Sequence, residues 1–245
     1  MMPKEILIET AKRKGLVNKE YIEKDYFQDL LLFNIYKKTN ILIFKGGTAL
    51  YKLYGLQRFS EDLDFSLLKK INADEIINII KEAVNQIEGA KIKEIKKTHG
   101  SLLIKVGFDG LLTKYNTVRI DISTDNPVIE KFDVKSYVSQ YIDINPFSIR
   151  ILNLKEILAE KIHSIFARQK ARDLYDLFFL LKFVEFNKQF IDKKLSNFDM
   201  KFNFKEFRKR ADDLENIWEK ELKSFILGEL PEFKLARDFV IKEVK

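Results

Sequence analysis

Residues 41–68, ILIFKGGTALYKLYGLQRFSEDLDFSLL, constrain the fold of this chain more than any other stretch. The apolar run at 41–44 is short enough for a buried strand. Gly46 and Gly47 follow, where the chain can turn tightly and bring its backbone close to a ligand. Residues 48–54 read as a short helix that stops at Gly55. After a polar link, Asp62-Leu63-Asp64-Phe65-Ser66-Leu67 alternates strictly. In a strand this puts Leu63, Phe65 and Leu67 on one face and Asp62, Asp64 and Ser66 on the other.

Two carboxylates on one strand face repel each other unless a cation sits between them. Their oxygen ligands suit Mg²⁺, with Mn²⁺ as the second candidate, because such an ion takes one or two carboxylates plus substrate phosphates. The Gly46-Gly47-Thr48 turn opens a helix whose first N–H groups attract phosphate. Alone, the turn is only a turn and the Asp pair only a solvated strand edge. The ordered combination is the specific signal.

KGGTALYKLYGLQRFSEDLDF resembles the polymerase β-type nucleotidyltransferases, whose signature is Gly-Gly-Thr, a short spacer and Asp-Leu-Asp. In its fuller wording it resembles the AbiEii/AbiGii-type toxin nucleotidyltransferases of prokaryotic toxin–antitoxin systems. The resemblance runs through three blocks between residues 21 and 181. The others are YIEKDYFQDLLL, before the glycine turn, and EILAEKIHSIFARQKARDLYDLFFLL.

A chain of 245 residues, 46% apolar and 33% charged, reads as an ordinary globular protein. The net charge of +7 fits a polyanionic partner, nucleic acid or nucleotide, and equally a lysine-rich proteome. Without cysteine there is no disulfide, thiolate zinc site or cysteine nucleophile. His99 and His163 stand apart with no ligand-like spacing and read as surface or packing residues. No signal-peptide core and no membrane-length apolar run is present, so the expectation is a cytoplasmic protein without a membrane partner.

Residues 3–38 read as two helices parted near Gly15, the second capped by Asn18. Glu23, Lys24 and Asp25 in that second helix read as surface charge. Residues 72–88 have helical spacing, 91–97 read as a charged edge strand, and 101–108 alternate again. In 117–123, Val118, Ile120 and Ile122 oppose Arg119, Asp121 and Ser123. If this strand neighbours the Asp62–Asp64 strand, three carboxylates converge. Residues 125–146 read as a connecting excursion with a short helix at 134–139, and 147–152 as a further strand. From Asn153 onward the chain is helical. Residues 201–210, KFNFKEFRKR, read as an amphipathic helix with a basic outer face, and Trp218 reads as core.

A second constellation lies in the helical half. At 3.6 residues per turn, Leu154, Leu158 and Ile165 form a line with Lys161 in its middle, and Arg168 lies near the same face. In the next helix Asp173 shares a line with Leu177, Leu180 and Val184, with Asp176 beside it. A buried lysine needs a partner, so these groups either form a structural salt bridge or serve a site.

The resemblance implies that Lys161, Arg168, Lys170, Asp173 and Asp176 carry over, with Lys161 binding nucleotide phosphates and Asp173 or Asp176 orienting it or the acceptor. The expected fold is α/β (α+β). A small mixed sheet, flanked by N-terminal helices, forms a nucleotidyltransferase domain over 1–152. A helical domain over 153–245 completes the active-site cleft. Asp62, Asp64 and Asp121 would hold metal and carry catalysis with Lys161, Asp173 and Asp176. Gly46, Gly47, Thr48, Arg58, Lys161, Arg168 and Lys170 would bind the nucleotide. The expected reaction moves NMP from an NTP to an acceptor, RNA and especially the 3′ end of tRNA, in a toxin with a cognate antitoxin. The alternatives are transfer to a protein hydroxyl, kinase-like transfer of a terminal phosphate, and a catalytically silent binding module.

Overall fold

A computed structural model describes residues 2–125 and 127–245. By contact the chain divides into two units. The first comprises residues 1–55, 59–128 and 132–152, and the second 56–58, 129–131 and 153–245. Both short inserts have a physical cause. The N–H groups of Ile129 and Glu130 donate to the buried Glu156 carboxylate at 2.7 and 2.6 Å. Gln57 accepts from the N–H of Leu227, and Arg58 forms an isolated bridge with Ile226.

In the first unit, helices α1 (Lys4–Arg13) and α2 (Lys19–Lys38) precede the sheet. The Asn18 side chain accepts from the N–H groups of Glu20 and Tyr21, a cap worth about 1 kcal/mol. Strand β1 (Leu42–Lys45) leads into α3 (Gly46–Tyr54), which ends on Gly55 in the left-handed conformation. Then follow β2 (Leu63–Leu67), α4 (Ala73–Val84), β3 (Ala90–Thr98), β4 (Ser101–Phe108), β5 (Asn116–Ser123), β6 (Asp133–Tyr137) and β7 (Phe147–Ile151). Among the described residues the seven strands form one mixed sheet, ordered β3-β4-β5-β2-β1-β7-β6.

One face of this sheet is apolar. Leu42, Phe44, Leu63, Phe65, Leu102, Ile104, Val106, Val118, Ile120 and Ile122 form a single core with Phe27, Leu31, Leu32 and Ile35 of α2 and Ile76, Ile77 and Ile80 of α4. That packing fixes the register, because a one-residue slip would turn every one of these side chains to the other face. It thereby fixes what the other face carries.

Two expectations are corrected. Residues 134–139 do not form a helix: 133–137 are β6, antiparallel to β7 at the sheet edge. Val134 is 60% exposed there, so no alternating burial marks the strand in the sequence. Nor are Glu23 and Asp25 surface charges. Asp25 is fully buried between Lys14, Lys52 (2.8 Å) and the Tyr141 hydroxyl (2.6 Å). Lys52 also meets Asp29 at 2.6 Å, and Tyr137 and Ser139 donate to Asp29. The buried Glu23 carboxylate accepts from the N–H groups of Leu112 and Thr113. These partners lie far away in sequence, and helical spacing alone could not reveal them.

The second unit holds α5 (Leu154–Ala167), α6 (Ala171–Leu180), α7 (Lys188–Leu195), α8 (Phe204–Asp212), α9 (Trp218–Leu222) and α10 (Phe233–Glu243). Asn153 caps α5 through the N–H of Lys155. Phe207 and Ala211 are the buried face of α8, and Trp218 is core at 2% exposure. His163 stacks on Phe198 at 3.8 Å, and His99 is exposed, in keeping with packing and surface roles.

Candidate active site

Strands β2 and β5 run parallel and pair Asp64 with Asp121 and Ser66 with Ser123. On the other side of β2, Lys45 of β1 pairs with Asp64. Directly opposed residues share a face, so Lys45, Asp64 and Asp121 all stand on the face opposite the apolar core. The Asp62 carboxylate is held by the Arg119 guanidinium, from the same face of β5. Lys45, 6% exposed, donates to the Ser123 hydroxyl at 3.0 Å. Since β1 and β5 flank β2, its ammonium reaches across β2 to make that bond.

Asp121 feels this crowding. Burial pushes its carboxyl above the ordinary range and the Asp62 charge adds to the rise, while Arg119 and Lys45 pull it down. The glycine turn meets the same cluster. Gly46 has φ +75°, and a Cβ there would lie 2.2 Å from Asp64 Oδ2 and 2.9 Å from its Cγ. Gly46 is therefore bare because the chain must turn left-handed and because the Asp64 carboxylate occupies the space of a side chain. Thr48 is fully buried and its hydroxyl donates to the Asp62 carbonyl. That hydroxyl ties the start of α3 to the Asp62 backbone.

The donors that a hard divalent cation would take on this face are carboxylate oxygens, two of them in register on adjacent strands. Among the described residues no three Asp, Glu or His side chains form a group that could hold a metal ion. Such an ion would take its other ligands from substrate phosphate and water.

The second unit carries the lysine–aspartate constellation as one buried cluster. Lys161 of α5 meets Asp173 at 3.0 Å and Asp176 at 2.7 Å, both on α6. Arg168 grips Asp173 through Nε at 2.8 Å and Nη2 at 3.0 Å. Arg58 is 2% exposed and grips Asp176 with three contacts of 2.9–3.0 Å. Burial alone would raise Asp173, but Lys161 and Arg168 outweigh it and hold the carboxyl well below its usual range. Burial alone would lower Lys161, but Asp176 and Asp173 outweigh it and keep the amine charged to higher pH than an ordinary lysine. Lys170 bonds Glu221 at 3.0 Å and does not join this cluster.

Sequence reasoning missed Lys45. The signal was present: it follows the apolar run directly, and its parity places it opposite Phe44, on the face that carries the acids. Arg58 was singled out, but its engagement with Asp176, 118 residues away, has no local signature.

A protein-family model described as the nucleotidyl transferase AbiEii toxin of a type IV toxin–antitoxin system matches residues 30–240. Among curated proteins, the inactive protein tyrosine kinase pTKL of Plasmodium falciparum is 30% identical over 108 residues, which are 43% of this chain. The match spans only 7% of that protein's length, and its activity is not carried across by so short a segment. Among solved structures, a candidate nucleotidyltransferase from H. pylori aligns with a TM-score of 0.63 at 25% identity, covering 93% of this chain and 97% of that one. MenT4, the nucleotidyltransferase toxin Rv2826c of Mycobacterium tuberculosis H37Rv, aligns with a TM-score of 0.70 over 100% of this chain and 89% of that one. At 18% identity the likeness to MenT4 is one of fold.

Proposed function

This chain belongs to the AbiEii nucleotidyltransferase toxin family, and from that premise we propose that it moves the nucleotidyl group of an NTP onto RNA, at the 3′ end of tRNA, in a Mg²⁺-dependent reaction. Its family places it as the toxin of a type IV system, with an NTP as substrate and an antitoxin as cognate partner.

The observation that carries this reading is the register of β2 on β5, which sets Asp64 beside Asp121 on one face of the sheet. In the transfer, the acceptor oxygen bonds the α-phosphorus, the bond from that phosphorus to the β-phosphate oxygen breaks, and pyrophosphate leaves. Asp62, Asp64 and Asp121 would hold the divalent ion, which when bound activates the acceptor hydroxyl and neutralises the leaving phosphates. The N–H groups of Gly46, Gly47 and Thr48 are assigned to the triphosphate. Lys45 balances the carboxylates and keeps Ser123 in place.

Lys161 and Arg168 are assigned to nucleotide phosphate by the family resemblance, with Asp173 and Asp176 orienting them. Arg58, engaged bidentately by Asp176, is assigned to fixing that aspartate. Lys170 is assigned to the nucleotide on resemblance alone. Product stoichiometry tests the reaction class. One pyrophosphate released per nucleotide incorporated supports it, and release of a nucleoside diphosphate would replace it with phosphotransfer.

A further inference from the structure

The sheet face that carries Asp64 and Asp121 continues outward over β5, β4 and β3, and there it becomes basic. Register places Arg119 beside Lys105, and Leu103 of β4 beside Lys96 of β3, all on this face. Lys91 pairs with Gly107 on the same side. Lys91, Lys93, Lys96 and Lys105 are exposed. Strands lie about 4.8 Å apart, so the strip runs roughly 14 Å from β2 to the outer edge at β3.

One aromatic ring lies in this strip. Gly107 sits in the interior of β4 without a positive φ, so its backbone does not require glycine. A Cβ at 107 would lie 2.0 Å from the Tyr115 hydroxyl and 2.8 Å from Lys93 Cε, the far ends of two flexible side chains that occupy this gap. Tyr115 thus lies over the bare strand, with the Lys93 ammonium 4.9 Å from its ring centroid and 45% of its surface exposed. An exposed tyrosine seated in a glycine gap among lysines presents a ring on which a base can stack.

Protection of the edge strand by charge accounts for lysines on β3. It does not account for Lys105 or Arg119, which stand on interior strands and lead toward the acids. Glu94 is the one acid facing this strip on β3, and Lys96 pairs with it at 2.8 Å.

We propose that this strip is the docking track for a single-stranded polynucleotide, with Lys93, Lys96 and Lys105 on its phosphates and Tyr115 stacking a base. The inference rests on RNA being the acceptor and names where that acceptor is held. Arg119, paired with Asp62, marks the end of the track at the acids.

The test uses the full chain in EDTA with a fluorescent single-stranded RNA dodecamer, read by anisotropy across a salt series. Lys93→Glu/Lys105→Glu raises Kd at least tenfold, and the slope of log Kd against log salt falls by about 1.4, for two lost phosphate contacts. NTP binding does not change. Tyr115→Ala raises Kd about tenfold while Tyr115→Phe stays near wild type. A Kd within twofold of wild type in the double lysine variant overturns the track. So does equal competition by polyglutamate of matched charge with no effect of Tyr115→Ala, which would assign the surface to an acidic protein. Failure of the transfer reaction itself would appear separately, as no pyrophosphate released by wild type with any acceptor, and would leave these binding constants as they are.

Discussion

Gly46 and Gly55 bracket helix α3 with nearly the same backbone conformation, φ +75° and +76°, yet their surroundings differ completely. A Cβ at Gly55 meets nothing within 4 Å, whereas one at Gly46 lands 2.2 Å from Asp64 Oδ2. Alanine at either position costs about 1–2 kcal/mol for the left-handed backbone. At Gly46 the Asp64 carboxylate must also swing away, at about 1 kcal/mol for an off-rotamer side chain. Gly46→Ala should therefore melt about 2–4 °C below Gly55→Ala for a chain of this size. Activity should separate the two far more. A displacement of about 1 Å at a reacting group costs on the order of a hundredfold, so Gly46→Ala should lose about that much turnover per folded molecule. Gly55→Ala should keep near-normal turnover. The comparison needs thermal melts and single-turnover nucleotide incorporation on both variants. Equal melting temperatures together with equal turnover would refute the claim that Gly46 is bare to seat Asp64.

Lys161→Met leaves Asp173 with Arg168 and Asp176 with Arg58, so its stability cost should fall at the low end of the roughly 3–5 kcal/mol for a broken buried pair. Its turnover should drop on the order of a hundredfold, and a destabilised variant with unchanged specific activity would leave Lys161 a purely structural role. Asp121→Asn should abolish transfer yet raise the melting temperature in EDTA at pH 7. Burial and the Asp62 charge disfavour the ionised carboxyl, and that penalty develops only as pH rises through the folded value, so the gain should vanish at acid pH. Asp25 and Asp173 are shifted the other way: lysine and arginine partners outweigh burial and hold both carboxyls low. Their stabilisation is present above the unfolded carboxyl value of about 3.9 and is lost as pH falls through the folded values. Urea midpoints should drop steeply below about pH 4, and less steeply in Asp173→Asn.

Periodicity revealed the features that depend on one element alone. The alternation at 62–67 and 117–123 identified the faces of β2 and β5, and Lys161 betrayed itself as a charge on an apolar helical line. What escaped depends on elements distant in sequence. The helix-surface reading of Asp25 failed because its partners, Lys14, Lys52 and Tyr141, come from three other segments. β6 escaped because one side of this edge strand is exposed and only Tyr137, at its end, is buried on the other. The basic strip escaped because it exists only once β3, β4 and β5 are laid side by side, and in the sequence only 91–97 reads as a charged edge strand.

The most direct test of nucleotidyl transfer by the acidic face is the fate of label from NTP with Mg²⁺ and total tRNA. With α-labelled NTP the account predicts label on the 3′-terminal nucleotide of tRNA, absent with γ-labelled NTP and lost in Asp64→Ala and Asp121→Ala. Label transferred from the γ position, or retained in full by both aspartate variants, would contradict it.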